Sequence, residues 1–221
     1  MRAFIKRKVY YMKKVLIIVL LFLAIFITAY GMRRNQGVRR AVPGIPAPVQ
    51  KEASGKAEVD TGGYHVEYNY QYSYDIKALV VHTRDYKGGM DFTSKISPKD
   101  LALAWGKVAE YNDRIDFGWR QSGRWYFWEC DSYEDIALAG GVAGISSCSS
   151  NNHIIPATHS VKEDVMKIKT GDYIELKGYL VNVFATKGAD DMYYWNSSTT
   201  RDDTGDGSCE VFYVTEVNWL K

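Results

Sequence analysis

Hydrophobic and polar positions change their period several times along this chain, and each change marks a segment. Residues 15–30 read VLIIVLLFLAIFITAY, apolar on every side and without a charge. A helix buried in a soluble core would keep a polar face, which this run lacks. Its 16 residues are near the lower limit for a helix that crosses a bilayer. Tyr10, Tyr11 and Tyr30 stand where interfacial aromatic belts stand, with Arg2, Lys6, Arg7, Lys8, Lys13 and Lys14 before the run and Arg33, Arg34, Arg39 and Arg40 after it. The basic excess on the first side predicts a cytoplasmic N-terminus. A second reading takes the stretch from Met12 as a secretory signal cut near Ala29-Tyr30-Gly31. Either way the rest of the chain is expected outside the cytoplasm, as a single-pass membrane protein or a secreted one. The segments so predicted are a basic leader (1–14), an anchor or signal (15–30), a linker (31–63) and a β-rich domain (64–221).

The linker is polar, contains Pro43, Pro46 and Pro48, and has no hydrophobic period. From Tyr64 to Ile76 the even positions are Tyr, Val or Ile and the odd ones polar. That strict period of two predicts a long strand with one aromatic face, buried or else exposed as a platform for glycan or peptide. Ser97-Pro98-Lys99-Asp100 predicts a helix start, with Leu101, Trp105, Val108 and Asn112 along one face. Phe117–Cys130, split at Ser122-Gly123, predicts an aromatic hairpin. Ser132-Tyr-Glu-Asp135 and Ser160-Val-Lys-Glu163 predict two more capped helices, the first ended by Gly140-Gly141. Tyr173–Phe184 and Glu210–Val217 predict strands, the former with a bulge at Gly178 where the apolar phase shifts. The class expected is α+β: a mainly antiparallel sheet or a small OB-like barrel, with two or three short helices, preceded by one transmembrane helix. The stretch from Gly171 to Val181 is similar to barrel strands of OB-type folds, an analogy of shape alone.

Charge sharpens this picture. Ten of the 28 Lys and Arg lie at or before Arg40 and no acid does, so the chain beyond Arg40 carries 18 basic against 26 acidic side chains, net −8. The basic neck suits anionic lipid headgroups. The acidic domain excludes nucleic acid, whose phosphates need a basic footprint. Of Cys130, Cys148 and Cys209, two can pair in an oxidising compartment, and the short loop between Cys130 and Cys148 favours that pair.

Ser150-Asn151-Asn152-His153, and Arg201-Asp202 through Gly205, Gly207 and Cys209 to Glu210, together resemble a family of bacterial membrane-anchored proteins of uncharacterised activity. The resemblance covers about the last third of the chain. It implies an envelope location and supplies no activity.

Candidate chemistry is sparse. Asn151, Asn152 and His153, with Arg201, Asp202 and Glu210, are the candidate binding residues; the competing reading makes Asn151–His153 a turn bonded to its own backbone. His153, Ser197 and Ser198 are the candidate catalytic residues of a peptidase-like hydrolase, with Lys177 or Lys187 as base. The Ser-Met motif of signal-peptidase-like enzymes is missing: Thr199 follows Ser198. Cys148, His153 and His159 have spacing for three zinc ligands but no second pair, and Asp202, Thr204 and Asp206 open like a calcium loop that lacks its closing Glu, with Tyr213 in that place. No metal and no cofactor is therefore expected. The expected partners are the bilayer and an envelope protein or cell-wall component.

Overall fold

The computed structural model describes residues 14–23, 39–86, 91–188, 190–200 and 208–221. The chain divides into two units, residues 1–37 and 38–221. In the first, residues 14–23 are helical (α1) and their side chains exposed. Among the described residues no helix is long and apolar enough to cross a membrane; residues 24–30 of the apolar run lie outside them.

The second unit is mixed α+β with a large, mostly antiparallel sheet. Its strands are β1 (Val49–Glu52), β2 (Lys56–Thr61), β3 (Tyr64–Asp85), β4 (Lys99–Ala104), β7 (Ser149–Pro156), β8 (Tyr173–Lys187), β9 (Asp191–Asn196) and β10 (Glu210–Trp219), with β5 (Arg120–Ser122) and β6 (Trp125–Phe127) forming a separate hairpin. Its helices are α2 (Phe92–Ile96), α3 (Gly106–Tyr111), α4 (Tyr133–Leu138), α5 (Gly141–Ser147) and α6 (His159–Lys167), more than the two or three expected. The pairings run β3–β4, β4–β7, β7–β10, β10–β8 and β8–β3, and so close into a five-stranded cycle. Only β7–β10 is parallel, which is why a long crossover through α6, β8 and β9 separates those two strands.

The tyrosine-rich strand spans 22 residues, yet its aromatic row does not share one face. Tyr70 pairs with Val181 but Tyr72 with Leu180, so Gln71 is an extra residue and the row changes sides there. Val66 and Tyr68 pack with Val181, Val183, Ala185 and Val211, whereas Tyr74 and Ile76 pack with Leu176, Leu180, Phe212 and Val214 in the larger core. The apolar phase shift at Leu180–Val181 reflects these two cores. The bulges lie on the partner strands, at Gln71 in β3 and Thr215 in β10, and not at Gly178.

Three further expectations are corrected. Residues 97–104 are not helical: Lys99–Ala104 is a fully buried strand, and the helix begins only at Gly106. The capping signal there is overruled because KDLALA also alternates, placing Leu101 and Leu103 in the core between β3 and β7. Part of the expected linker is built into the domain: β1 and β2 lie along β3, Val42 and Ile45 are buried, and the Val42 amide donates to the Ala109 carbonyl. The α6 cap is Thr158, whose hydroxyl accepts from the Val161 amide, and not Ser160.

Where local signals act alone they hold. Ser132 caps α4 by accepting from the Asp135 amide at 3.1 Å, with Glu134 and Asp135 in the first turn. Ser132→Ala is expected to lower stability by about 1 kcal/mol, measured as a lower denaturation midpoint with an unchanged denaturant slope.

Candidate functional site

Polar groups gather on one face of β4 and β7. Asp100 pairs with His153 and Ala102 with Asn151, so these side chains share a face, while Asn152 opposite Leu101 takes the other. The β5–β6 hairpin covers this face. Its two-residue turn, Gly123-Arg124, has positive φ at both positions, the geometry whose twist suits a hairpin. Glycine adopts it freely; for Arg124, at φ 73°, it is held against a steric cost.

Arg124 secures that position through many bonds. Its Nη1 donates to Asp100 Oδ1 at 2.7 Å and to Ser97 Oγ at 3.1 Å, and its Nη2 to the Ser97 carbonyl at 2.8 Å. Its guanidinium carbon lies 3.6 Å from the centroid of the Tyr86 ring, a cation–π contact. Its own carbonyl accepts from Asn151 Nδ2 at 2.9 Å. One residue thereby ties the segments that follow α2 and β3 to β4 and β7.

Asp100 is the electrostatic centre. Its carboxylate is fully buried and receives three donors: Arg124, His153 Nδ1 at 3.0 Å, and the Tyr86 hydroxyl at 2.8 Å on Oδ2. An ionised carboxylate tolerates burial only with such compensation. Burial, and then the Asp100 charge, push the Tyr86 phenol well above its ordinary pKa. His153 packs against Trp195 with ring centroids 4.8 Å apart. A second polar chain runs beside this centre. His82 Nδ1 meets Gln121 Oε1 at 2.9 Å, Gln121 Nε2 donates to Asn151 Oδ1 at 2.6 Å, and Asn151 Nδ2 reaches Cys209 Sγ at 3.6 Å.

The structure sorts the residues singled out from sequence. Asn151 and His153 enter the centre, as buried residues of a strand and not as a turn. Asn152 and Glu210 pair with each other on the opposite face, and Asn152 Oδ1 accepts no hydrogen bond among the described residues. Ser197 Oγ donates to the Ser198 carbonyl and accepts from the Val211 amide, and Ser198 Oγ donates to the Thr200 carbonyl. Among the described residues neither hydroxyl is bonded to a histidine or lysine nitrogen. Lys177 lies instead against Glu175, and Lys187 over the Tyr64 ring. Arg201 and Asp202, with the rest of the expected calcium-like turn, lie outside the described residues. Cys148, His153 and His159 do not converge: Cys148 packs on Gly106, and His159 is an exposed residue of α6 paired with Glu163. Cys130 and Cys148 are separate thiols, and the Cys130 Sγ donates to the Ser132 carbonyl. The cysteine on the His153 face is Cys209.

Asp100, Arg124, Tyr86 and Trp195 are the members that sequence reasoning passed over. The usable signal was Gly123-Arg124, an arginine at a turn position that glycine or asparagine ordinarily takes.

Away from this centre, Tyr70 and Tyr179 stack with centroids 4.0 Å apart and planes 6° from parallel, and Tyr213 stands 5.9 Å from Tyr70. All three are half-buried. Near them a groove of about 390 Å³ is lined by Lys51, Asp75, Lys177, Tyr179, Thr215 and Glu216. No family model, curated protein or solved structure matches this chain.

Proposed function

We propose that this chain is a membrane-tethered domain, held outside the cytoplasm, that binds an envelope protein or cell-wall component and catalyses no reaction. The closed cycle β3–β4–β7–β10–β8, with β7 and β10 parallel and α6 between β7 and β8, is read as an OB-type barrel. Such barrels bind ligands on their second and third strands, here β4 and β7. In this chain that face is filled by its own hairpin and by Arg124, which moves the binding surface elsewhere. The observation that carries the reading is the half-buried Tyr70–Tyr179–Tyr213 cluster beside a groove of mixed charge. Rigid aromatic side chains of this kind anchor protein and glycan partners. A net negative domain leaves nucleic acid out.

The hydrolase reading keeps one observation, the Asp100–His153 pair, since a carboxylate on Nδ1 is how a general base is oriented. Among the described residues the hydroxyls of Ser197 and Ser198 are hydrogen-bonded to backbone groups. Crosslinking of the full chain in intact cells separates the readings. Tyr179→Ala is expected to weaken the crosslinked species about thirtyfold, the size of an aromatic hot spot, while Ser197→Ala and Ser198→Ala leave them intact. Unchanged crosslinks in Tyr179→Ala, or a substrate-trapping effect of either serine variant, would replace the binding reading with the hydrolytic one.

A further inference from the structure

The β2–β3 hairpin carries a cluster that the barrel does not use. Its turn, Gly62-Gly63, has φ of 62° and 85°, and the register places Glu58 opposite Glu67, Asp60 opposite His65 and Lys56 opposite Asn69. Directly opposed residues, and residues two apart, project from the same face of a sheet. These six side chains therefore share the face away from Val59 and Val66. One ligand atom from each of Glu58, His65 and Glu67 lies within 4.8 Å of the others, the one such group of metal-ligand side chains among the described residues.

Two details distinguish this group from an ordinary surface ion pair. The first is how His65 is held. Its Nδ1 lies 2.9 Å from Asp60 Oδ1, which keeps the proton on Nδ1 and leaves the lone pair on Nε2. A carboxylate on the second ring nitrogen is the usual support of a metal-ligating imidazole, fixing its tautomer and raising its basicity. The second is Lys56. Its Nζ lies 3.1 Å from Glu67 Oε1 and is also paired with Glu58, so the two carboxylates already converge on a cation. An ion pair explains those three residues. It requires neither a histidine two positions along the same face nor a carboxylate behind that histidine.

We propose that Glu58, His65 and Glu67 form a surface site for a divalent transition-metal ion, of which zinc is the probe, with Lys56 as its displaceable occupant and Asp60 as the positioning residue behind His65. Two carboxylates and one imidazole are a donor set zinc accepts. Two ligands at i and i+2 on one strand with a third on its neighbour make a three-point base. The coordination positions pointing away from the sheet remain open to water or to a group from another molecule. Metal–ligand bonds of about 2 Å bring the ligand atoms closer than they now stand, by side-chain rotation on an exposed face and by release of the Lys56 ammonium.

The test is a zinc titration of the full chain in detergent after stripping with chelator, followed by calorimetry. One zinc per chain is expected. Binding should be lost in His65→Ala, weakened about tenfold in Asp60→Asn, tightened in Lys56→Met and unchanged in His159→Ala. Cobalt in place of zinc should give a spectrum without a thiolate charge-transfer band. Equal zinc binding by the parent and His65→Ala, weaker binding by Lys56→Met, or a thiolate band pointing to the cysteines would each overturn the site.

Discussion

Replacing Asp100 with alanine is expected to destabilise the domain by about 3–5 kcal/mol, the cost of removing one partner from a buried ion pair. The carboxylate is fully buried and serves Arg124, His153 and Tyr86 at once. Its loss strands a guanidinium on a backbone turn already held at positive φ, together with the buried His153 ring and the half-buried Tyr86 hydroxyl. Because the penalty arises from what is left behind, Asp100→Leu combined with Arg124→Met should cost less than the sum of the two single changes. Chemical denaturation of Asp100→Ala, of Asp100→Leu, of Arg124→Met and of the double variant gives the comparison. A loss below about 1 kcal/mol in Asp100→Ala, or strict additivity in the pair, would mean that this centre does not hold the hairpin to the barrel.

Gly178→Ala is expected to be the most damaging single-methyl addition. A Cβ at Gly178 would stand 2.0 Å from the Tyr213 carbonyl oxygen and 3.1 Å from the Val214 Cα. These are backbone atoms of β10, and they cannot move without opening the β8–β10 seam on which closure of the five-stranded cycle depends. The bulges at Gln71 and Thr215 lie near this position on the two neighbouring strands. Overpacking a well-filled site ordinarily costs about 1–3 kcal/mol, and a clash with backbone belongs at or above the top of that range. Gly188→Ala, where nothing lies within 4 Å, shares the positive φ without the clash. It should cost no more than the about 1 kcal/mol that left-handed backbone imposes on a side chain. Equal losses in the two variants would refute the packing explanation.

What could be read from sequence was whatever rests on local rules. The alternation of β3, the aromatic hairpin of β5 and β6, the Ser132 cap and the strand from Tyr173 all follow from side-chain period, turn chemistry or capping. What escaped depends on partners far along the chain. β1 and β2 are polar and mostly exposed, so no hydrophobic period announces them, and they are strands because β3 offers them an edge. Lys99–Ala104 satisfies both a capping signal and a strand alternation, and only the presence of β3 and β7 on either side decides between them. Asn151 and His153 look like turn residues until Gln121 and Asp100 are in place to receive them. The row of tyrosines has the period of a strand and forms one, but one unpaired residue, Gln71, carries it from one face to the other. No alternation count can show that.

The proposed location, and with it an envelope partner for the tyrosine cluster, stands on the apolar run at residues 15–30. The most direct measurement joins Lys221 to two reporters in separate strains: alkaline phosphatase, which is active only outside the cytoplasm, and a fluorescent protein that matures only inside. An active phosphatase with a dark fluorescent partner is the predicted result. A bright fluorescent fusion with inactive phosphatase would place the domain in the cytoplasm and remove the basis for an envelope partner.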